Sequence, residues 1–276
     1  MSARLGAQTG ERPYAGGPPI VLLHALPLDG SMWDETARAL RALGHHVITV
    51  DQRGFGTAPL PDQPPSLDLV ADDLARELDR QGIDTIVLAG CSMGGYVALS
   101  FLRRHPGRVR ALALLAARAT ADTPETAGAR RRFADLVLDD ALRPRVVSDT
   151  TPSLLGATTR AGRHQLLARV TELARAARPH SVAWAQRAIA ARVDSTATLH
   201  ATDVPAVVVI GEEDELVTLG EAREAAEALP QGRLITLPGV GHLAPLEAAE
   251  ATLEILTDLL TRAENAGAPA GEAQTC

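Results

Sequence analysis

Along this chain, short runs rich in valine, isoleucine and leucine alternate with stretches whose apolar positions recur every three or four residues. The unbroken apolar runs predict strands buried on both faces, and the wider spacing predicts amphipathic helices. Strands are predicted at Ile20–Leu23, Val47–Val50, Ile86–Ala89 and Val109–Ala116, with helices between them at Met32–Leu43, Leu67–Gln81 and Tyr96–Arg104. From about Thr120 to Ser195 the alternation stops. Helical patterns at Arg130–Leu138, Gln165–Ala177 and Val182–Arg192 fill that region, separated by Pro144, Pro152, Gly156, Gly162 and Pro179. The earlier rhythm returns with a strand at Val204–Ile210, a helix at Gly220–Leu229, a strand at Arg233–Leu237 and a closing helix at Leu246–Arg262.

Such alternation is the pattern of a mostly parallel sheet wrapped by helices, so an α/β fold is expected. The helical insertion begins one strand after Ile86–Ala89. It is therefore expected to lie over the C-terminal edge of the strands, where open α/β sheets bind ligands. The expected organisation is one core from residues 1–119 and 196–262, a helical cap at 120–195, and a small polar, disordered tail at 263–276. Before Ile20 the sequence carries no convincing strand pair, which leaves the number of strands there open.

Composition narrows the chemistry. At 276 residues and 46% hydrophobic content, the chain can bury a full core as one domain with an insertion. All 27 basic residues are arginine. Without lysine there is no Schiff base, no pyridoxal phosphate anchor and no Gly-x-x-x-x-Gly-Lys phosphate loop. A net charge of −7 and only seven aromatic residues argue against a nucleic-acid surface. No apolar run reaches membrane-spanning length, and Met1–Pro19 has no hydrophobic segment of the secretory kind, so a cytoplasmic protein without a membrane partner is expected. Cys91 and Cys276 are too few for a disulfide framework or a zinc site. No cofactor and no metal are expected, and a small molecule is the simplest partner.

The candidate chemistry centres on Gly90-Cys91-Ser92-Met93-Gly94, between a predicted strand and a predicted helix. A direct strand-to-helix turn strains its central residue and crowds the positions two before and two after, where only small residues fit. Centring the turn on Cys91 would put Met93 at a crowded position, which disfavours a thiol nucleophile. Ser92 needs a base, and the base needs an orienting carboxylate. Gly211-Glu212-Glu213-Asp214 follows one late strand and Pro238-Gly239-Val240-Gly241-His242 follows the next, so both loops leave the same sheet edge as Ser92. Of eight histidines, His242 alone follows a late strand with glycines before it. Glu213 competes with Asp214 as the acid.

With Ser, acid and His in that chain order, the sequence resembles the α/β-hydrolase fold, and within it the group of esterases, enol-lactonases and cofactor-free haloperoxidases. The resemblance runs from Ile20 to about Leu260. It is carried by His24-Ala25-Leu26-Pro27, Asp51-Gln52-Arg53-Gly54-Phe55-Gly56, the serine turn, and Gly241-His242-Leu243 with its preceding acid. It implies an enzyme with Ser92 as nucleophile, His242 as general base and acid, and Asp214, three residues after the glycine ending its strand, as the orienting carboxylate. The backbone N–H groups of Leu26 and Met93 would form the oxyanion hole. Ala25 stands where the family usually has glycine, and Thr218 where proline often follows the acid loop.

The expected reaction is hydrolysis of a small carboxylic ester or lactone through an acyl-serine. Acyl transfer, C–C bond hydrolysis or lyase chemistry could use the same triad, and a non-catalytic small-molecule binder could keep the fold. A neutral histidine base would make activity rise between about pH 5.5 and 7.5. Trp33, Phe133 and Trp184 are candidates to line the substrate pocket. His24, Asp51 and Arg53 read as structural.

Overall fold

The computed structural model describes the strand Gly6–Gln8 and residues 17–267. The chain runs through β1 (Gly6–Gln8), β2 (Ile20–Leu23), α1 (Asp34–Ala42), β3 (Val47–Asp51), α2 (Leu67–Arg80), β4 (Ile86–Cys91), α3 (Met93–Arg104) and β5 (Val109–Leu115). Five helices come next without a strand: α4 (Pro124–Leu136), α5 (Arg143–Thr150), α6 (Ala157–Gly162), α7 (His164–Ala176) and α8 (Pro179–Ala190). After α9 (Thr196–His200) come β6 (Ala206–Gly211), α10 (Leu219–Glu227), β7 (Gly232–Leu237), α11 (Ala244–Glu247) and α12 (Ala249–Gly267). Of the tail expected from residue 263, residues 263–267 instead continue α12, and 268–276, with Cys276, lie outside the described residues.

The strands form one sheet in the order β1-β3-β2-β4-β5-β6-β7. β1 is antiparallel to β3 and every other pairing is parallel. Successive side chains on a strand point to opposite faces. Ile20 and Leu22 accordingly join Trp33, Leu40, Leu256 and Leu260 in one core. Val21 and Leu23 join Leu74, Leu78, Val97 and Phe101 in the other. Both faces are covered, which is why β2 reads as a continuous apolar run. Each such leucine or isoleucine contributes about 1.5–3 kcal/mol when fully buried.

The order of the strands also determines where a ligand can enter. β3 lies on one side of β2, and the next strand, β4, lies on the other. Right-handed crossovers running in opposite directions put their helices on opposite faces. α1 accordingly packs with α12, whereas α2 packs with α3. The loops leaving β2 and β4 therefore part, opening a crevice at their C-terminal ends. Leu26 comes after β2 there, and Ser92 after β4. No helix among the described residues is long and apolar enough to cross a membrane.

Two short helices of the insertion escape the pattern of the sequence. α5 has no buried residue and α6 buries only Thr159, so neither carries an apolar stripe to read. Thr218, after the loop of Asp214, has a local role. Its hydroxyl accepts from the Glu221 N–H at 3.2 Å while the Glu221 carboxylate accepts from the Thr218 N–H at 2.8 Å, a reciprocal cap that starts α10.

Candidate active site

Ser92 joins β4 to α3 with φ 53° and ψ −113°, a left-handed backbone that costs a non-glycine residue about 1–3 kcal/mol. Its surroundings impose that conformation. A Cβ on Gly90 would run into the Gly94 backbone, and one on Gly94 into the Leu23 backbone, so the two glycines allow β2, β4 and α3 to meet around the serine. Ser92 N–H donates to Leu115 O at 2.8 Å, pinning the turn to β5. Met93 opens α3, where the backbone N–H groups and the helix dipole favour negative charge. Among the described residues, neither Met93 N–H nor Leu26 N–H has an acceptor, and Leu26 lies in the wall of the cavity beside Ser92. Ala25 does not break this loop: it is fully buried, and its N–H meets Met32 Sδ at 3.1 Å.

The loop after β6 brings Asp214 to the loop after β7. The Asp214 carboxylate lies 2.9 and 3.0 Å from Nδ1 of His242, with both side chains essentially withdrawn from solvent. Two further donors, the N–H groups of Leu216 at 2.8 Å and Val217 at 3.0 Å, converge on Asp214 Oδ1. A carboxylate so placed accepts the Nδ1 proton and leaves Nε2 as the acceptor of the ring. Glu213, the competing acid, points elsewhere. Its carboxylate takes the N–H and hydroxyl of Thr158 at 2.7 and 2.6 Å, bonds that hold its pKa below the ordinary glutamate value.

Ser92 and His242 line one cavity of about 330 Å³. Its walls come from Leu26, Pro27, Tyr96 and Leu216 on the sheet side and from α4, α5, α7 and α8 on the other, mostly through apolar side chains. Of the three aromatic residues expected there, Phe133 lines the cavity and the two tryptophans do not. Trp33 is fully buried between the sheet and α1. Trp184 packs in the opposite core and donates its indole N–H to Gln63 O at 2.8 Å. Both sit on helical stretches whose apolar face points into the core, and periodicity alone cannot tell that face from a pocket wall.

His24, Asp51 and Arg53 hold loops together. His24 accepts the Gln52 N–H at 3.0 Å, and complete burial pushes its pKa down. Asp51 accepts from the N–H groups of Gly30 and Thr57, and Arg53 forms a buried ion pair with Asp73. The Cys91 thiol is buried and directed at the His242 carbonyl oxygen at 3.6 Å. Burial, aided by the charges of Asp214 and Glu247, raises its pKa far above that of a free thiol, so it is not a reactive thiolate. Among the described residues no group of histidine, cysteine and acidic side chains could hold a metal ion. Sequence reasoning passed over Glu247, whose carboxylate meets the histidine loop. An acid at the start of a predicted surface helix carries no distinguishing signal.

Comparisons with known proteins bear on the fold and the family. A family model for the alpha/beta hydrolase fold matches residues 18–249. A putative carbamate hydrolase of Variovorax paradoxus (strain S110) is 30% identical over 259 residues, covering 93% of this chain and 96% of that protein. Among solved structures, a thermophilic esterase from Thermogutta terrifontis superposes with a TM-score of 0.87 at 31% identity, covering 95% of this chain and 94% of that one. The enol-lactonase from Burkholderia xenovorans LB400 superposes at 0.84 and 25% identity, over 94% and 97% of the two chains. A parallel sheet with its serine turn at the switch point, matched by the family model over most of its length, makes the chain a member of the α/β-hydrolase fold family.

Proposed function

We propose that this hydrolase cleaves a small carboxylic ester or lactone through an acyl-Ser92 intermediate. The observation that carries the reading is the buried Asp214–His242 pair opening, through His242, onto the same cavity as the strained Ser92. In the reaction, His242 Nε2 takes the hydroxyl proton as Ser92 Oγ attacks the carbonyl carbon. The N–H groups of Leu26 and Met93 receive the negative charge that develops on the carbonyl oxygen. His242 then returns the proton to the leaving alkoxide, and water, activated by the same ring, releases the acid. Asp214 keeps the proton of the free ring on Nδ1 and stabilises the imidazolium.

The helices between β5 and β6 act as a cap, closing the cavity from above and giving it apolar walls suited to the carbon skeleton of an uncharged acyl or alcohol part. The carbamate hydrolase, esterase and enol-lactonase relatives support acyl chemistry on a small molecule. The test is a panel of p-nitrophenyl esters of increasing chain length, together with simple lactones, run on the natural chain and on Ser92→Ala. Loss of at least about 10³-fold in kcat for every substrate turned over is expected. Undiminished ester or lactone hydrolysis by Ser92→Ala would sink the proposal.

A further inference from the structure

The loop that carries His242 has carbonyl oxygens engaged by the Glu213 N–H, which donates to Val240 O at 2.8 Å, and by the Cys91 thiol, 3.6 Å from His242 O, while its N–H groups need acceptors of their own. It contains Gly239, with φ 68°, and Gly241, against whose Cα the Gly156 backbone packs too closely for a side chain. Such a loop has more conformational freedom to lose than most. Glu247, buried on α11, supplies acceptors for two of those N–H groups. Its Oε2 accepts from Gly241 N–H at 3.1 Å and from Gly156 N–H at 2.8 Å, and its Oε1 accepts from Leu243 N–H at 3.1 Å. Three main-chain donors therefore converge on one carboxylate, and among the described residues no cation pairs with it. Gly241 and Leu243 are the residues on either side of His242, and Gly156 belongs to the segment leading into α6.

The carboxylate is not the sole anchor of α11. Arg163 already anchors that helix by donating to Glu247 O at 2.6 Å and Leu246 O at 3.3 Å. Nor would another side chain do the same. A carboxylate only accepts, so both oxygens can face N–H groups, whereas glutamine would turn an NH₂ toward one of them. Aspartate keeps the charge but stops one methylene short.

We infer that Glu247 is a positioning residue for the reaction: it fixes the main chain on both sides of His242 and ties that loop to Gly156 of the insertion, so that the imidazole is presented at one place in the cavity. The inference rests on the reading of His242 as general base. A small misplacement of a base costs far more in rate than in binding. Cap and base are also joined through one side chain, so a shift of the Gly156 segment is transmitted to the histidine loop.

The test uses the full chain and a fluorophosphonate probe, comparing Glu247→Gln with the natural chain and with Glu250→Gln, an exposed acid on α12, as control. In Glu247→Gln, labelling is expected to reach full stoichiometry but about ten- to hundredfold more slowly, and kcat for a p-nitrophenyl ester is expected to fall in step. KM should stay within about threefold, because the substrate cavity itself is untouched. A natural labelling rate in Glu247→Gln, or a reduced stoichiometry with a natural rate constant, overturns the inference, since the second outcome reports only misfolded chains. If Glu247→Gln does not melt cooperatively, Glu247→Asp decides by the same criteria. A natural chain that the probe leaves unlabelled overturns the reading of Ser92 and His242 first, and this inference with it.

Discussion

Replacing Asp214 by asparagine removes one charge and almost no volume, so the hydrogen-bond partners of the carboxylate decide its effect. Asp214 Oδ1 receives two backbone N–H groups at 2.8 and 3.0 Å, while Oδ2 faces His242 Nδ1 at 2.9 Å. An asparagine has one oxygen for these two roles. Turning its NH₂ toward the backbone would set it against two N–H donors, one of them part-buried, whereas turning it toward the histidine displaces a single proton. The second orientation wins. The NH₂ then donates to Nδ1, the ring carries its proton on Nε2, and Nε2 can no longer accept from Ser92. An altered tautomer of this kind costs about 10³- to 10⁴-fold in kcat, or about 4–5.5 kcal/mol of transition-state stabilisation. Steady-state kinetics with a p-nitrophenyl ester should show that loss in kcat with KM nearly unchanged, because Asp214 does not line the cavity. The melting temperature should move little. Asp214→Asn with kcat within tenfold of the natural chain would refute the assignment of Asp214 as the orienting acid.

Other consequences are as accessible. Glu213→Gln, which disturbs a contact to Thr158 and not to His242, should leave kcat within about twofold, measured in the same assay. Gly90→Ala places a methyl group against the Gly94 backbone and should lower stability by about 1–3 kcal/mol or more, read from thermal unfolding. Phe133→Ala enlarges the cavity wall and should shift the ester chain-length optimum upward, whereas Trp184→Ala should cost about 3–5 kcal/mol of stability from its place in the core, with no shift in that optimum. Because burial holds the Cys91 thiol protonated well above the pH where a free thiol ionises, it should resist alkylation at pH 8 in the folded chain and react on unfolding, as monitored by peptide mass spectrometry.

Strands β2 to β7 and the chain order of Ser92, Asp214 and His242 were legible because each has a local signature, whereas the three-residue β1 has none. β2 and β4 are apolar at every position, since both faces are covered, and Ser92 stands between glycines that its turn demands. The residues alone leave Asp214 and Glu213 as alternatives, and the family resemblance selects Asp214; in the fold Asp214 meets His242 and Glu213 meets Thr158. Pocket aromatics were the weakest inference. Trp33, Phe133 and Trp184 all lie in helical patterns, and only packing decides that Phe133 faces the cavity. Glu247 was invisible for a related reason, as its three amide partners come from positions 156, 241 and 243, and two of those contacts come from the loop just before it with no pattern of side chains to betray them.

Covalent acylation of Ser92 is the central claim, and trapping the acyl group tests it most directly. The chain is mixed with excess p-nitrophenyl ester, quenched in acid within the first turnovers, digested and mapped by mass spectrometry. The acyl mass is predicted on the peptide containing Ser92, absent from Ser92→Ala, and present in His242→Gln only after much longer incubation. Rapid turnover with Ser92 unmodified, and equal turnover by Ser92→Ala, would contradict it.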